Sequence, residues 1–326
     1  MRTLLEAIIY DQMFGDPPNE YHPTAWMGNA IGRLKAEAPA GDDQARMGFG
    51  AVIVLGGAAV VFILGQFLQR ITRGLPFGLG YSIDGWLLKT TFSFSGLVNA
   101  ADEVRSALES GDLSDLSEAR RLVSLHLVSR DTSELDASQI AAATIESVAE
   151  NLSDGVVAPL LYYAIGGLPL ALAYRWVNTC GSMLGYRDEE HEWLGKIPAK
   201  FGDIVNFAPA RLTAQALLLA GERTFERDAD LTLSADSIYQ RDADMTDSLN
   251  AGHPMSAAAG VLGVELEKAG QYNLGAGQRQ PQSADIGRMI ELAQNAMLLV
   301  SGVLFVYKTV TWAFGAVKRF RRRFCE

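Results

Sequence analysis

The stretch GFGAVIVLGGAAVVFILGQFLQ, residues 48–69, decides the fold class of this 326-residue chain. It contains no Asp, Glu, Lys or Arg, and Arg46 and Arg70 bound it. A helix needs about 20 apolar residues to cross the hydrocarbon core of a bilayer. The stretch therefore predicts a membrane-spanning helix, and the alternative is a helix buried in the core of a large soluble protein.

Three further segments are candidate spans of decreasing strength. Residues 292–317 contain only one charged side chain, Lys308. Residues 155–174 are uncharged, but the sequence GGLP within them can break a helix and make the segment re-entrant or buried. Residues 204–221 are the weakest candidate because Arg211 lies among them.

Charge and cysteine content exclude other classes of protein. The net charge is -10, and nucleic-acid binding requires a basic stripe, so we expect no nucleic-acid partner. Cys180 and Cys325 lie far apart without a CxxC motif, which indicates neither a disulfide framework nor a zinc site. The basic sequence KRFRRR, residues 318–323, follows the last apolar segment and predicts a cytoplasmic anchor on anionic lipid headgroups.

The remaining sequence has the periodicity of helices. Residues 84–110, 113–127 and 139–152 repeat their apolar positions at helical spacing, whereas strand signals are weak throughout. A proline-rich segment, residues 14–28, is expected to form a loop. We therefore predict an all-α, polytopic integral membrane protein with large polar helical loops, in one membrane-embedded domain over residues 1–326.

A line of carboxylates precedes the second apolar segment, in ESVAENLSDGVVAPLLYY, residues 146–163. Glu146, Glu150 and Asp154 recur every four residues, so the first two share a helix face and the third continues the line past Asn151. Like charges at this spacing repel, and Mg²⁺ or a basic partner could compensate them. The alternative is the solvated face of an amphipathic helix that ends at the following glycine.

Two other segments carry polar groups without a defined chemistry. His22 could act as an acid or base near neutral pH, and SLNAGHP, residues 248–254, is a turn-forming run that could line a polar ligand. The chain lacks the motifs GxxxxGK[ST], GxSxG and HExxH, and it has no strand followed by GxGxxG. The residues alone thus indicate a helical membrane protein with carboxylate and amide clusters, and they name no substrate.

Five segments together resemble one family, the adenosylcobinamide-phosphate synthases of cobalamin biosynthesis, of the CobD/CbiB type. They occur in the order of the family and cover nearly the whole chain. The segments are GDPPNEYHPTAWMG (15–28), SRDTSEL (129–135) followed by ESVAENLSDGVVAPLLYYAIGG (146–167), LALAYRWVNTCGSMLGY (170–186), FGDIVNFAPARL (201–212) and NAGHPMSAAAGVLGVEL (250–266).

The resemblance implies a multi-pass enzyme of the cytoplasmic membrane, with its active site on the cytoplasmic face. Members of the family join the propionate carboxyl of adenosylcobyric acid to the amine of aminopropanol or its O-phosphate, in a reaction written with ATP. The substrates would then be a corrinoid, the amine and Mg²⁺-ATP. Membrane lipid and other corrinoid-assembly enzymes at the membrane are the further partners that it implies.

The resemblance also assigns roles to residues of this chain. Acids of the motifs would form the catalytic set: Asp131, Glu146, Glu150, Asp154 and Asp203. Of these, Glu146, Glu150 and Asp154 would hold Mg²⁺ with its ATP. Two arginines would contact phosphate or propionate, and amides would position substrates: Arg130, Arg211, Asn151, Asn178, Asn206 and Asn250. His22 with Asp16 would serve as a base for the incoming amine.

This chain departs from the family in one motif. The family reads NAGWPEA where residues 250–256 read NAGHPMS, so His253 and Met255 replace a tryptophan and a glutamate. A change of amine substrate or a loss of activity could follow. Two other functions stay open: a non-enzymatic membrane sensor related to the family, and a transporter that uses intramembrane carboxylates.

The membrane topology is unsettled by the sequence. Positive-inside reasoning places Arg70, Arg73 and the basic tail in the cytoplasm. If only residues 155–174 and 292–317 cross the membrane between them, residues 175–291 fall outside and are separated from Glu146. One segment must therefore re-enter, or an additional segment must cross.

Overall fold

A computed structural model describes residues 1–110, 115–128, 131–185, 192–225 and 233–324, and these are mostly helical. Two 3₁₀ turns, Asn19–Tyr21 and Pro76–Gly78, and two π-helical turns, Val52–Gly56 and Leu152–Val157, lie between helices. The α-helices are α1 (Arg2–Phe14), α2 (Pro23–Ala36), α3 (Asp43–Ala51), α4 (Gly57–Arg73), α5 (Leu79–Lys89), α6 (Phe94–Ser110), α7 (Ser117–His126), α8 (Ala137–Asn151), α9 (Ala158–Gly166), α10 (Leu168–Leu184), α11 (Glu192–Thr224), α12 (Ala235–Asp242), α13 (Gly252–Leu262) and α14 (Ser283–Phe324).

A small β-hairpin corrects the all-α prediction. Strands β1 (Leu266–Lys268) and β2 (Tyr272–Leu274) pair antiparallel, with Gly270 at a φ of 73° in the turn between them. Three-residue strands are too short for the alternation of apolar and polar residues to stand out in the sequence. The prediction of a mainly helical protein is confirmed.

The local signals at the start of α8 act as the sequence predicts, whereas those at its end do not. Asp136 caps the helix in a reciprocal capping box with Gln139. The sequence predicts that Gly155 ends the helix, but the helical backbone continues through the π-helical turn into α9. Most residues of this turn are buried, and packing in the core outweighs the weak preference of glycine for a helix end.

Residues 155–174 do not form one span. The helix breaks at Gly167, whose φ of 75° lies in the left-handed region that favours glycine, and α10 begins directly after it with Pro169 in its first turn. The uncharged part of the helix that ends there, residues 155–166, is too short to cross a bilayer. The structure therefore matches the buried or re-entrant alternative.

Two helical stretches are long and apolar enough to cross a membrane, Asp43–Arg73 and Ser283–Phe314. In the first, only 17% of the most apolar window is buried in the protein, compared with 39% in the second. Val60, Ile63 and Phe67 of α4 are all exposed. This pattern is typical of a helix in contact with lipid, because a core helix would be covered by protein.

Helices α4 and α10 pack antiparallel, which fixes where the ends of the first candidate span lie. A Cβ added to Gly57 would meet the ring of Trp176, and one added to Gly65 would meet the backbone of Pro169. The start of α10 therefore lies near the C-terminal end of α4, and its end lies near α3. The side chains of residues 318–323, the predicted lipid anchor, lie outside the described part of the structure.

Candidate functional site

The carboxylate line lies in a cavity of about 510 Å³ between α8, α10 and the β-hairpin. Residues 143, 146, 147, 150, 151 and 154 follow one another at helical spacing and present one continuous face to it. This arrangement agrees with the prediction that the acids share a helix face. The lining residues are Leu127, Val128, Ala143, Glu146, Ser147, Glu150, Asn151, Asp154, Asn178, Gly181, Ser182, Gly185, Lys268 and Tyr272.

Two of the three acids, Glu146 and Asp154, do not lie on a solvated face, whereas the Glu150 side chain is exposed at the cavity. Glu146 is only 6% exposed, and Asp154 is half-buried. Although Glu150 is exposed to solvent in the cavity, desolvation by the surrounding protein raises its pKa, and the nearby ammonium of Lys268 acts in the opposite direction. Burial, together with the charge of Glu150, raises the pKa of Asp154 to about 7 against weaker opposing effects of the Ser153 side chain and of Arg175. The cavity thus stabilises the protonated form of both carboxyls.

Asp154 is held by a hydrogen-bond network that reaches α11. The amide of Asn206 donates to its carboxylate at 3.1 Å. The Tyr174 hydroxyl is 2.9 Å from the Asp154 carbonyl and 2.6 Å from the Asn206 side-chain oxygen. The ring of Tyr162 stacks on that of Tyr174 with centroids 4.9 Å apart. Because these partners are packed between helices, the carboxylate of Asp154 has a fixed orientation toward the cavity.

Three more predicted site residues extend this network beyond the cavity. The Asn250 amide donates to the carbonyl of Asp203 at 2.9 Å, and the Arg211 guanidinium donates to Asn250 at 3.3 Å. Arg211 also lies over the ring of Phe207, 3.5 Å from its centroid. The negative charge of Asp203 acts on Asp154 in the direction that raises the pKa of Asp154. The structure therefore brings the motifs at 146–163, 201–212 and 250–256 together.

The first family segment, residues 15–28, contributes Asp16 and His22 to a separate ion cluster around a buried lysine. Lys89 is fully buried and contacts both Asp16 and Asp11, the latter at 3.2 Å. Burial opposes ionisation of Asp16, but the His22 ring 3.6 Å away and hydrogen bonds from Lys89 and Ser93 outweigh it and hold the pKa of Asp16 low. His22 accepts from the Thr24 backbone through Nδ1, as the N-cap of α2. Neither Asp16 nor His22 lines the cavity.

Arg175 connects the ion cluster with the cavity. Its guanidinium donates to Asn178 at 3.2 Å, and the charges of Asp16 and Asp154 both act on it. Its buried Nε has no hydrogen-bond partner among the described residues. Arg175 thus supplies positive charge behind an acidic cavity.

Asp131 lies in a different place. It lines an open pocket on α7 together with Arg120 and Arg121, and the Ser133 backbone lowers its pKa. The structure does not bring it into the cavity of the other acids. Arg130 lies outside the described residues, so its predicted contact with phosphate stays a prediction.

The acids do not form a ready-made metal cage. Among the described residues, no group of three or more His, Cys, Asp or Glu side chains is close enough to hold a metal ion. Mg²⁺ typically binds to one or two carboxylates and keeps waters and substrate phosphates as its other ligands. Glu146 and Glu150, one helical turn apart in the cavity, fit that mode.

Sequence reasoning missed four residues that the structure places at or behind the site: Lys89, Arg175, Lys268 and Tyr272. Lys268 and Tyr272 lie on strands too short to be recognised, and Lys89 is an isolated lysine in an otherwise helical stretch. Only Arg175 carried a signal, since it lies at the edge of an uncharged segment inside a family motif.

The two replaced family positions lie outside the cavity. Met255 is 2% exposed and belongs to the hydrophobic core. His253 is buried beside Arg211, and its Nδ1 is 3.1 Å from the Tyr239 hydroxyl. The methionine therefore removes no ligand from the cavity.

Comparison with known proteins gives the family. Residues 4–299 of this chain match the model of a family described as "CobD/Cbib protein". A "Probable cobalamin biosynthesis protein CobD" of Pyrococcus abyssi is 38% identical over 307 residues, which are 93% of this chain and 95% of that protein. The "Cobalamin biosynthesis protein CobD" of Dehalococcoides mccartyi is 39% identical over 305 residues, 92% of this chain and 96% of that protein.

The match to the family extends to a more distant relative. The "Probable cobalamin biosynthesis protein CobD" of Methanocaldococcus jannaschii is 31% identical over 312 residues, 95% of this chain and 97% of that protein. No solved structure matches the chain. The extent of these matches shows that the chain belongs to the CobD/Cbib protein family.

Proposed function

We propose that this protein is an enzyme of cobalamin biosynthesis that forms an amide between a corrinoid propionate and an amino alcohol or its phosphate, with ATP as the energy source. The names of the relatives support the pathway. The observation that carries the reaction class is the cavity, where carboxylates, amides and hydroxyls from three elements meet. Such a mixed lining suits phosphoryl and acyl transfer, which depend on positioning and charge neutralisation.

The proposed reaction has two steps. A propionate oxygen attacks the γ-phosphorus of ATP, the bond to the β-bridging oxygen breaks, and ADP leaves with an acyl phosphate as the product. The amine nitrogen then attacks the acyl carbon, inorganic phosphate leaves, and the nitrogen loses a proton. Activation is needed because a carboxylate and an ammonium ion do not condense in water at a useful rate.

The geometry gives the acids different parts in this scheme. Glu146 and Glu150 would hold Mg²⁺, which, when bound, would neutralise charge on the phosphates. Asp154 accepts a hydrogen bond from Asn206 and has a pKa of about 7, so it is suited to accept the proton that the amine loses. Asn178 and Ser182, on the opposite wall, offer hydrogen bonds to the substrates.

The position of the cavity bears on the membrane orientation. Asn178 and Ser182 lie in the second half of α10, and Trp176 donates to the carbonyl of Ile53 at 3.0 Å, near the start of the first candidate span. Arg73 ends that span about 30 Å away, at 1.5 Å per residue. A crossing helix therefore cannot place both the basic end and the cavity on the cytoplasmic face. Because ATP is cytoplasmic, we propose that the cavity faces the cytoplasm.

A reconstituted reaction tests the proposed function. Purified full-length protein in detergent, supplied with adenosylcobyric acid, aminopropanol phosphate and Mg-ATP, is expected to release ADP and amide in equal amounts. Glu150→Gln should lose most turnover, and Glu267→Gln on the exposed side of β1 should keep it. No amide and no ADP from the folded wild-type protein would refute the ligase reaction.

A further inference from the structure

The β-hairpin places one lysine over the acidic cavity. In the paired strands Leu266 lies opposite Leu274, and Lys268 lies opposite Tyr272. Side chains of a strand alternate between its two faces, so Leu266 and Lys268 share one face while Glu267 points to the other. Because Leu266 and Leu274 are buried in the core, this shared face is the one turned toward the protein.

The hairpin is firmly attached to the helical body. The carboxylate of Asp242 is buried, accepts from the Gly275 backbone at 2.7 Å and pairs with Arg241. Asn273 donates to Glu265 at 2.5 Å across the base of the hairpin. The position of Lys268 over the cavity is therefore fixed by the fold.

Lys268 is the one cationic side chain among the described residues that line the cavity. Its ammonium is 6.0 Å from the centroid of the Tyr272 ring and acts on the charge of Glu150. No carboxylate of the described residues lies within 4.0 Å of it to form a salt bridge. A half-buried cation without an ion-pair partner is available to an anionic ligand.

We infer that Lys268, positioned by Tyr272, binds a phosphate group of a substrate and is a specificity-determining residue of this enzyme. The inference rests on the proposed function. Carboxylates on α8 repel a phosphate, and positive charge on the facing wall offsets this repulsion. Lys268 is the described cavity residue that supplies it. The phosphate belongs either to ATP or to a phosphorylated amine, and both have the same chemistry.

Steady-state kinetics on the full-length protein in detergent separates these two sources. Lys268→Gln is compared with Lys268→Arg, which keeps the charge, and with Lys200→Gln, which removes an exposed lysine of α11 outside the cavity. Each protein is assayed with Mg-ATP and with either aminopropanol or aminopropanol phosphate. A charge-assisted hydrogen bond of the usual strength predicts that the affected KM rises about 10- to 100-fold in Lys268→Gln.

If the lysine holds the amine phosphate, KM rises for aminopropanol phosphate and stays unchanged for aminopropanol. If it holds ATP, the KM for ATP rises equally with both amines. In either case kcat should change less than KM, and Lys268→Arg should restore most of the affinity. Unchanged KM values for all substrates in Lys268→Gln would overturn the inference while wild-type turnover left the proposed function intact.

A binding measurement covers the case in which the wild-type protein does not turn over. Thermal stabilisation of the protein by Mg-ATP and by aminopropanol phosphate is measured separately for wild type and for Lys268→Gln. A phosphate ligand held by Lys268 should stabilise the wild type and the Lys200→Gln control more than Lys268→Gln. Equal stabilisation of all three proteins would overturn the inference whatever the fate of the proposed reaction.

Discussion

Asp154→Asn is expected to stabilise the fold at pH 8 while it abolishes turnover. The pKa of Asp154 is about 7 in the folded protein, raised by burial and by Glu150, compared with 3.8 for an isolated aspartate. Ionised Asp154 therefore disfavours the folded state. The substitution removes the charge and keeps a side chain of nearly the same shape beside Asn206, whose amide can still donate to it.

The magnitude and its pH range follow from the two pKa values. A difference of about 3 pH units corresponds to about 4 kcal/mol, and water that enters the cavity reduces this to about 1 to 3 kcal/mol. Because the folded pKa is the higher one, the stability from protonated Asp154 is fully present below pH 4, falls steadily from there, and is completely lost once the pH has risen through 7. The advantage of Asp154→Asn should thus be about half of its full size at pH 5.5 and full at pH 8.

Thermal unfolding in detergent, followed by tryptophan fluorescence at a fixed scan rate, measures this effect. For a chain of this size, about 1 to 3 kcal/mol shifts the midpoint by about 2 to 5 °C. Glu267→Gln, on the exposed side of the hairpin, is the matched control and should show no shift that depends on pH. An equal stabilisation by Asp154→Asn at pH 5.5 and at pH 8 would refute the conclusion that burial raises the pKa of Asp154. Turnover by this variant with the pH profile of the wild type would refute the role as proton acceptor.

Three further predictions concern the fold and its orientation. Lys89→Met should destabilise the protein by about 3 to 5 kcal/mol, measured by thermal unfolding, because it leaves the buried carboxylate of Asp11 without its cation. Gly57→Val should lower the yield of folded protein in detergent, since a Cβ there would lie 2.1 Å from the ring of Trp176. Single cysteines at Gly74 and Ser182, in a variant without native cysteines, should react with a membrane-impermeant maleimide from opposite sides of membrane vesicles.

Each of these has a control or a refuting result. Lys200→Met, on the exposed surface of α11, should leave the unfolding midpoint unchanged. If Lys89→Met and Lys200→Met had the same unfolding midpoint, the ion cluster would not contribute to stability. Gly48→Ala has open space around its Cβ, so it should be tolerated where Gly57→Val is not. Labelling of both cysteines from one side would show that the first candidate span does not cross the membrane.

Several features of the site were predictable because they depend on neighbours in sequence. The four-residue spacing of Glu146, Glu150 and Asp154 places them on one face wherever a helix forms, and the structure shows that face. The side chain of Asp136 lies next to the first free backbone N–H groups of α8, so its role as the N-cap could be predicted from the sequence. Short-range geometry of this kind needs no knowledge of the rest of the chain.

Other features depended on contacts between distant segments. The glycine at 155 and the glycine at 167 look alike in the sequence, yet the first lies inside a helix and the second ends one. The difference arises because the turn around Gly155 is packed in the core, whereas Gly167 takes a left-handed φ where the chain reverses. Likewise, Asp131 and Asp154 are both acids of specific motifs, but only one lies in the cavity.

The sequence by itself determined that this is a mainly helical protein with apolar helices long enough for a membrane, and its motifs identified the family. Only the tertiary structure decided which polar side chains share a cavity, that Lys268 faces the acids, and that the cavity lies away from the basic end of α4. The physical reason is that helix formation and lipid contact follow from composition and local spacing. The charge environment of Asp154, in contrast, is set by burial and by side chains from segments far apart in the chain.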